Sequence, residues 1–169
     1  MKSHPKRFCA VLAAALLTSL VLPQVVAVAR DPGDCWRYRT AERRFARKTN
    51  LARSSRGTPK LHLDRQLSRA ARKHTREMVH RNRLHHTPTR KLSRRVTRWR
   101  SLGENVGVGG RVGSLNAAFM DSTPHRANVV NATFRHFGIG TVRKRGKLWV
   151  TVIFESFTNP GTRLWMPPC

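Results

Sequence analysis

The chain has 169 residues, 34 Lys and Arg against 8 Asp and Glu, and a formal net charge of +26. That length makes about one domain with a real core, and the charge implies attraction to anionic surfaces such as nucleic acid, acidic cell-wall polymers or lipid headgroups. Aromatics are few among the basic residues, which argues against a base-stacking, sequence-specific nucleic-acid site. Arg outnumbers Lys 26 to 8 and is scattered along the chain, so genome composition is a competing source of the charge.

Residues 1–29 read as a secretory signal peptide. Lys2, Lys6 and Arg7 form its positive start, Ala10 to Leu22 its apolar stretch, and Ala27-Val28-Ala29 its cleavage pattern. The apolar stretch is short for a membrane span. Cleavage after Ala29 leaves 140 residues, a charge of +23 and no transmembrane segment, and predicts a secreted, extracellular or envelope-associated protein. Cys9 is lost, and Cys35 and Cys169 remain near the two ends. In an oxidising compartment they are expected to pair, which adds roughly 4–5 kcal/mol in the chain-entropy model. Two cysteines at this spacing are not a zinc motif.

Residues 30–40 read as an N-terminal arm. Thr40 is placed to cap a helix with Ala41, Phe45, Ala46 and Thr49 on one side, and Asn50 to Pro59 reads as a loop. Asp64 caps the clearest helix, to about Asn82, with Leu67, Ala70, Ala71, His74, Met78 and Val79 at helical spacing. His74 reads as a packed core histidine. His85 and His86 follow, with His85 facing solvent, and Thr87-Pro88 stops the helix. Leu92, Val96 and Trp99 predict a short helix. The glycines from Gly103 to Gly113 predict a loop. Ser114 caps a helix through Met120 with Leu115, Ala118 and Phe119 inside, and Ser122 or Thr123 caps another with Val129 and Val130 packing.

Phe137–Arg143 and Leu148–Phe157 read as strands joined by Lys144-Arg145-Gly146-Lys147, a hairpin signal. Leu148, Val150, Val152 and Phe154 point one way; Trp149, Thr151, Ile153 and Phe157 point the other. A strand apolar on both faces is covered on both. The fold class is therefore α+β: a three-layer α-β-α sandwich with an antiparallel sheet flanked by helices. Residues 158–169 read as a tail.

Eight short motifs stand in order: Asn50-x-x-Arg53, Leu61-x-Leu63-x-x-x-Leu67, Ala71-x-x-His74-x-x-x-Met78, Asn82-x-Leu84-x-His86, Gly103-Glu104-Asn105-Val106, Ser122-x-x-His125-Arg126-x-Asn128, Gly138-Ile139-Gly140 and Trp149-Val150-Thr151. In this order the chain resembles the CAP superfamily of cysteine-rich secretory proteins, antigen 5 and pathogenesis-related proteins, and most of all its compact bacterial, SCP-like branch. The resemblance covers residues 41–157 and implies the same sandwich. It also implies a cleft of two His and two acidic residues that binds a divalent metal, often zinc, in some members. His86, Glu104 and His125 match three of these positions, and the second Glu is missing. Ser122 and Phe119 stand where relatives carry Ser and Trp.

Three chemistries follow. His86, Glu104 and His125 could form a zinc or acid–base site, or instead a hydrogen-bond network that fixes the Glu104 segment to the helix at His125. Ser122 and His125 could pair as nucleophile and base, although Ser before Thr-Pro is a common helix cap. The charge could make the domain a binding module for an anionic polymer, a cell-envelope component or a lipid headgroup. The expected function is the binding module, with no catalysis established. The alternative is a metal-dependent hydrolase using His86, Glu104 and His125.

Overall fold

The computed structural model describes residues 36–97 and 99–156. The signal segment, Cys35, Cys169, Phe157 and the tail lie outside these residues.

Helix α1 (Thr40–Ser54) buries Phe45, Ala46 and Thr49 as their spacing dictates. It starts one residue earlier than expected, with Arg39 as N-cap, and runs on to Ser54 through the segment expected to be a loop. The continuation places Asn50 and Arg53 on the inner side. Asn50 exchanges two hydrogen bonds with the backbone of Leu61, at 2.9 and 3.0 Å. Arg53 is fully buried and donates to the carbonyls of Pro59, Val129 and Asn131 at 2.7–2.9 Å.

The short strand β1 (His62–Leu63) leads into helix α2 (Arg65–His80), where Asp64 accepts from the backbone N–H of Leu67 at 2.9 Å. Satisfying one orphan donor in this way is worth about 1 kcal/mol. Helix α3 (Thr89–Arg95) is shorter than its apolar spacing suggested. Val96 turns extended, and Trp99 lies beyond the helix and 42% exposed. Leu92 and Val96 remain buried.

The Gly-rich segment is a strand, β2 (Leu102–Gly109), not a loop. The reason is close packing. A Cβ on Gly107 would lie 3.1 Å from the Phe119 ring, and one on Gly103 would lie 2.9 Å from the Phe134 ring. The glycines thus admit the aromatic groups that cover the strand.

Helix α4 (Val112–Asp121) begins before Ser114, with Arg111 as N-cap, and leaves Ala118 exposed while Leu115 and Phe119 are buried. Helix α5 (Thr123–Val130) follows with Pro124 in its first turn.

Strands β3 (His136–Lys144) and β4 (Lys147–Glu155) form the expected hairpin. Arg145 and Gly146 both have positive φ, 48° and 73°, the backbone a two-residue turn requires.

The sheet order is β1-β3-β4-β2. It is antiparallel across β3, β4 and β2, with the two-residue β1 added parallel to β3. Leu148, Val150, Val152 and Phe154 of β4 pack with Phe45, Leu115, Phe119 and Val129 from α1, α4 and α5. On the other face Ile153 packs with Leu67, Ala70 and Ala71 of α2 and Leu92 of α3, and Trp149 packs with Met78 and Val106. Full burial of each large apolar side chain contributes about 1.5–3 kcal/mol. Helix α2 lies backbone to backbone on β3, because a Cβ on Gly138 or Gly140 would sit 2.0 or 2.3 Å from a carbonyl carbon of that helix. The fold is the α-β-α sandwich. No helix among the described residues is long and apolar enough to cross a membrane.

Candidate functional site

The site forms where the segment after α2 crosses the start of β2, beside the N-terminus of α5. Glu104 is on β2, opposite Ile153 of β4. Its carboxylate accepts three hydrogen bonds. His86 Nδ1 donates to Oε1 at 2.9 Å, the Thr87 backbone N–H to the same oxygen at 2.8 Å, and the Thr87 hydroxyl to Oε2 at 2.6 Å. The Glu104 side chain is only 6% exposed, against 58% for His86. Nδ1 is the His86 ring nitrogen committed to the carboxylate, and the ring is exposed.

His125 enters from α5. Burial, and secondarily the neighbouring His86, pull its imidazole below the ordinary histidine range, so it is neutral near pH 7. Its ring packs against Phe119, with centroids 4.9 Å apart. Two asparagines fix its backbone. Asn105 Nδ2 donates to the His125 carbonyl at 2.9 Å, and Asn128 Nδ2 donates to Asn105 Oδ1 at 2.9 Å and to the Glu104 carbonyl at 3.3 Å. Asn105 is fully buried. This network joins α5 to β2.

The structure therefore brings His86 and Glu104 into direct contact and places His125 within electrostatic reach of His86. Both Glu104 oxygens are occupied by His86 and Thr87. Among the described residues no group of three His, Cys, Asp or Glu side chains is placed to hold a metal ion. A zinc ion at this position would meet two imidazoles, with Glu104 behind one of them as its hydrogen-bond partner. Ser122 sits at the N-cap of α5 but its side chain makes no cap hydrogen bond.

His74 is fully buried, with Nε2 2.7 Å from the His85 carbonyl. His85 is half-buried, not simply solvent-facing: its ring meets His74 edge-on at 5.1 Å. Thr87, Asn105 and Asn128 are site residues whose roles sequence reasoning missed. The run Gly103-Glu104-Asn105-Val106, with a polar residue directly after the carboxylate, was the available signal for one of them.

The chain has clear relatives. It is 29% identical over 115 residues to the uncharacterized protein YkwD of Bacillus subtilis (strain 168), an alignment covering 64% of this chain and 44% of that protein. An extracellular protein containing an SCP domain from Bacillus anthracis superposes with a TM-score of 0.62 at 26% identity, covering 69% of this chain and 40% of that one. An outer surface protein from Borrelia burgdorferi superposes at 0.64 with 13% identity, covering 69% and 92%. The chain thus spans less than half the length of either Bacillus protein. The sequence profile of the cysteine-rich secretory protein family, CAP, matches residues 46–154, and with the sandwich described above the chain belongs to that family.

Proposed function

We propose that the chain is an exported CAP domain that binds an anionic polymer or lipid of the envelope or extracellular space. One observation carries this: the carboxylates are used inside the molecule. Six acidic residues fall among the described ones, and five of them, Glu42, Asp64, Glu77, Glu104 and Glu155, hold backbone N–H groups or basic side chains within the fold. The outward cations are left largely unopposed. The names of the Bacillus anthracis and Borrelia relatives, extracellular and outer surface, support export.

The test is co-sedimentation of the full chain with anionic vesicles and with an anionic polymer over about 50–500 mM salt. Binding that falls steeply with salt and survives His86→Ala is the expected result. Salt-independent binding, or none, overturns the reading.

A metal-dependent hydrolase is the second reading, favoured by the exposed His86 on Glu104 with His125 within its electrostatic reach. Zinc would there supply Lewis acidity, while Glu104 holds the His86 tautomer. Calorimetric zinc titration of the full chain, with His86→Ala and His125→Ala, separates the two. Micromolar binding lost in both variants supports a metal centre, and equal heats in all three proteins remove it.

A further inference from the structure

Resting on the binding reading above, one groove stands out by its charge. It runs between α1 and the start of α4 and has a volume of about 640 Å³. Arg44, Arg47 and Lys48 form one wall, and Arg111 and Arg143 face them. All five are exposed, and among the described residues no carboxylate lines the groove. None of the five makes an ion pair among the described residues. The two walls touch: a Cβ on Gly113 would lie 3.8 Å from Lys48 Cε, so the lysine stem crosses the first turn of α4. That turn begins at Arg111 with no side-chain cap.

The groove's cations follow from helix geometry. Positions 44, 47, 48 and 51 recur at three and four residues, so they share one face about 5–6 Å apart. The opposite face, carrying Phe45, Ala46 and Thr49, is in the core. The fourth member of the exposed row is Leu51, 61% exposed at the groove's end. The larger groove along α2 differs, because it contains Glu77, which already holds Lys91 and Arg95.

Shape and residue type define the occupant. Cations that face one another across a concave channel can surround a chain, whereas a planar bilayer meets only the rims. Four of the five are Arg. Arg143 already donates to the carbonyls of Gly110 and Gly146, while Arg44, Arg47 and Arg111 present planar forks that pair two phosphate oxygens at once, where a lysine offers a point charge. Among the described residues no aromatic lines the groove to stack on bases. We propose that the α1/α4 groove binds a linear, phosphate-bearing polymer that lacks nucleobases.

The experiment measures binding of the full chain to long-chain inorganic polyphosphate across a salt series. The groove variant is Arg44→Gln, Arg47→Gln and Lys48→Gln. The control removes three exposed charges on α2 and its C-cap, Lys73→Gln, Arg76→Gln and Arg81→Gln. Circular dichroism checks that both fold. The groove variant should lose at least about tenfold in affinity, and its salt slope should fall by about 2–3, while the control stays within about twofold. Equal losses in both variants overturn the groove and leave the general binding reading standing. No polyphosphate binding by the wild type at low salt, with none to phosphatidylglycerol vesicles, removes both. Tighter binding of single-stranded DNA than of polyphosphate at equal phosphate overturns the proposed occupant. So does vesicle binding that depends on the groove when polyphosphate binding does not.

Discussion

Glu104→Ala separates an anchor from a free ligand. In the anchor role the carboxylate holds the backbone N–H and hydroxyl of Thr87, a residue 6% exposed, and the ring of the exposed His86. A hydrogen bond to a charged acceptor is worth about 1.5–3 kcal/mol when its partner cannot turn to water. The His86 contact is open to solvent and adds about 1 kcal/mol at most. Losing both Thr87 bonds, less the relief of no longer burying a carboxylate, gives a net loss of about 2–4 kcal/mol. Urea unfolding followed by circular dichroism reads this directly. With m near 2 kcal/mol/M the midpoint should fall by about 1–2 M. In the same variant the His86 ring loses its Nδ1–H preference, visible in nitrogen chemical shifts. A stability loss under about 1 kcal/mol, together with loss of zinc affinity, would refute the reasoning and make Glu104 a ligand held loosely by Thr87.

Two further variants test how the site is held. Arg53→Met leaves the carbonyls of Pro59, Val129 and Asn131 without their donor and should cost about 3–5 kcal/mol in denaturant unfolding. Burial, and then Arg135, pull this guanidinium down to about 10, so it stays charged near neutrality, and a loss under about 1 kcal/mol would mean water replaces it. Glu77 is opposed by burial, but the hydrogen bonds and charges of Lys91 and Arg95 outweigh it and bring the carboxyl from 4.5 to about 2. A depressed folded pKa stabilises above the unfolded value and is lost as pH falls through the folded one. The stability gap between wild type and Glu77→Gln should be constant above about pH 5 and close between 4.5 and about 2. A gap that stays open across that window would contradict the pairing.

The hairpin, the helix after Asp64 and the two faces of β4 were legible because each follows a strong local rule. The rules are a turn pair with positive φ, a capping carboxylate, and alternation along a strand. Strand β2 was not legible. Its apolar alternation is replaced by Gly103, Gly107 and Gly109, and a strand pattern without side chains reads as loop. The missing volume is supplied by Leu115, Phe119 and Phe134 from elsewhere in the chain, which no local window shows. Trp99 failed for the opposite reason. Its spacing is helical, but Val96 leaves the helix to bury its own side chain. At the site, the nearness of His86 to Glu104 came from family resemblance and not from spacing. Thr87 was read as a stop for a helix, yet it contributes two of the three bonds to the carboxylate.

The placement of the carboxylates bears on how any salt dependence must be interpreted. Glu42 joins α1 to α2 through Arg72, and the Arg72 guanidinium stacks on Trp36 at 4.0 Å. Asp64 caps α2, Glu77 ties it to α3, and Glu104 ties the segment beyond it to β2. Glu155 pairs with His136 across β3 and β4. Apart from Lys91 on Glu77 and His86 on Glu104, which are exposed, these partners are largely buried, so bulk salt screens them weakly. The exposed cations repel one another, and salt screens that repulsion strongly. Added salt therefore favours the folded chain while it weakens attraction to a polyanion. A loss of binding in salt cannot then be assigned to unfolding, and its slope counts the cations that touch the ligand.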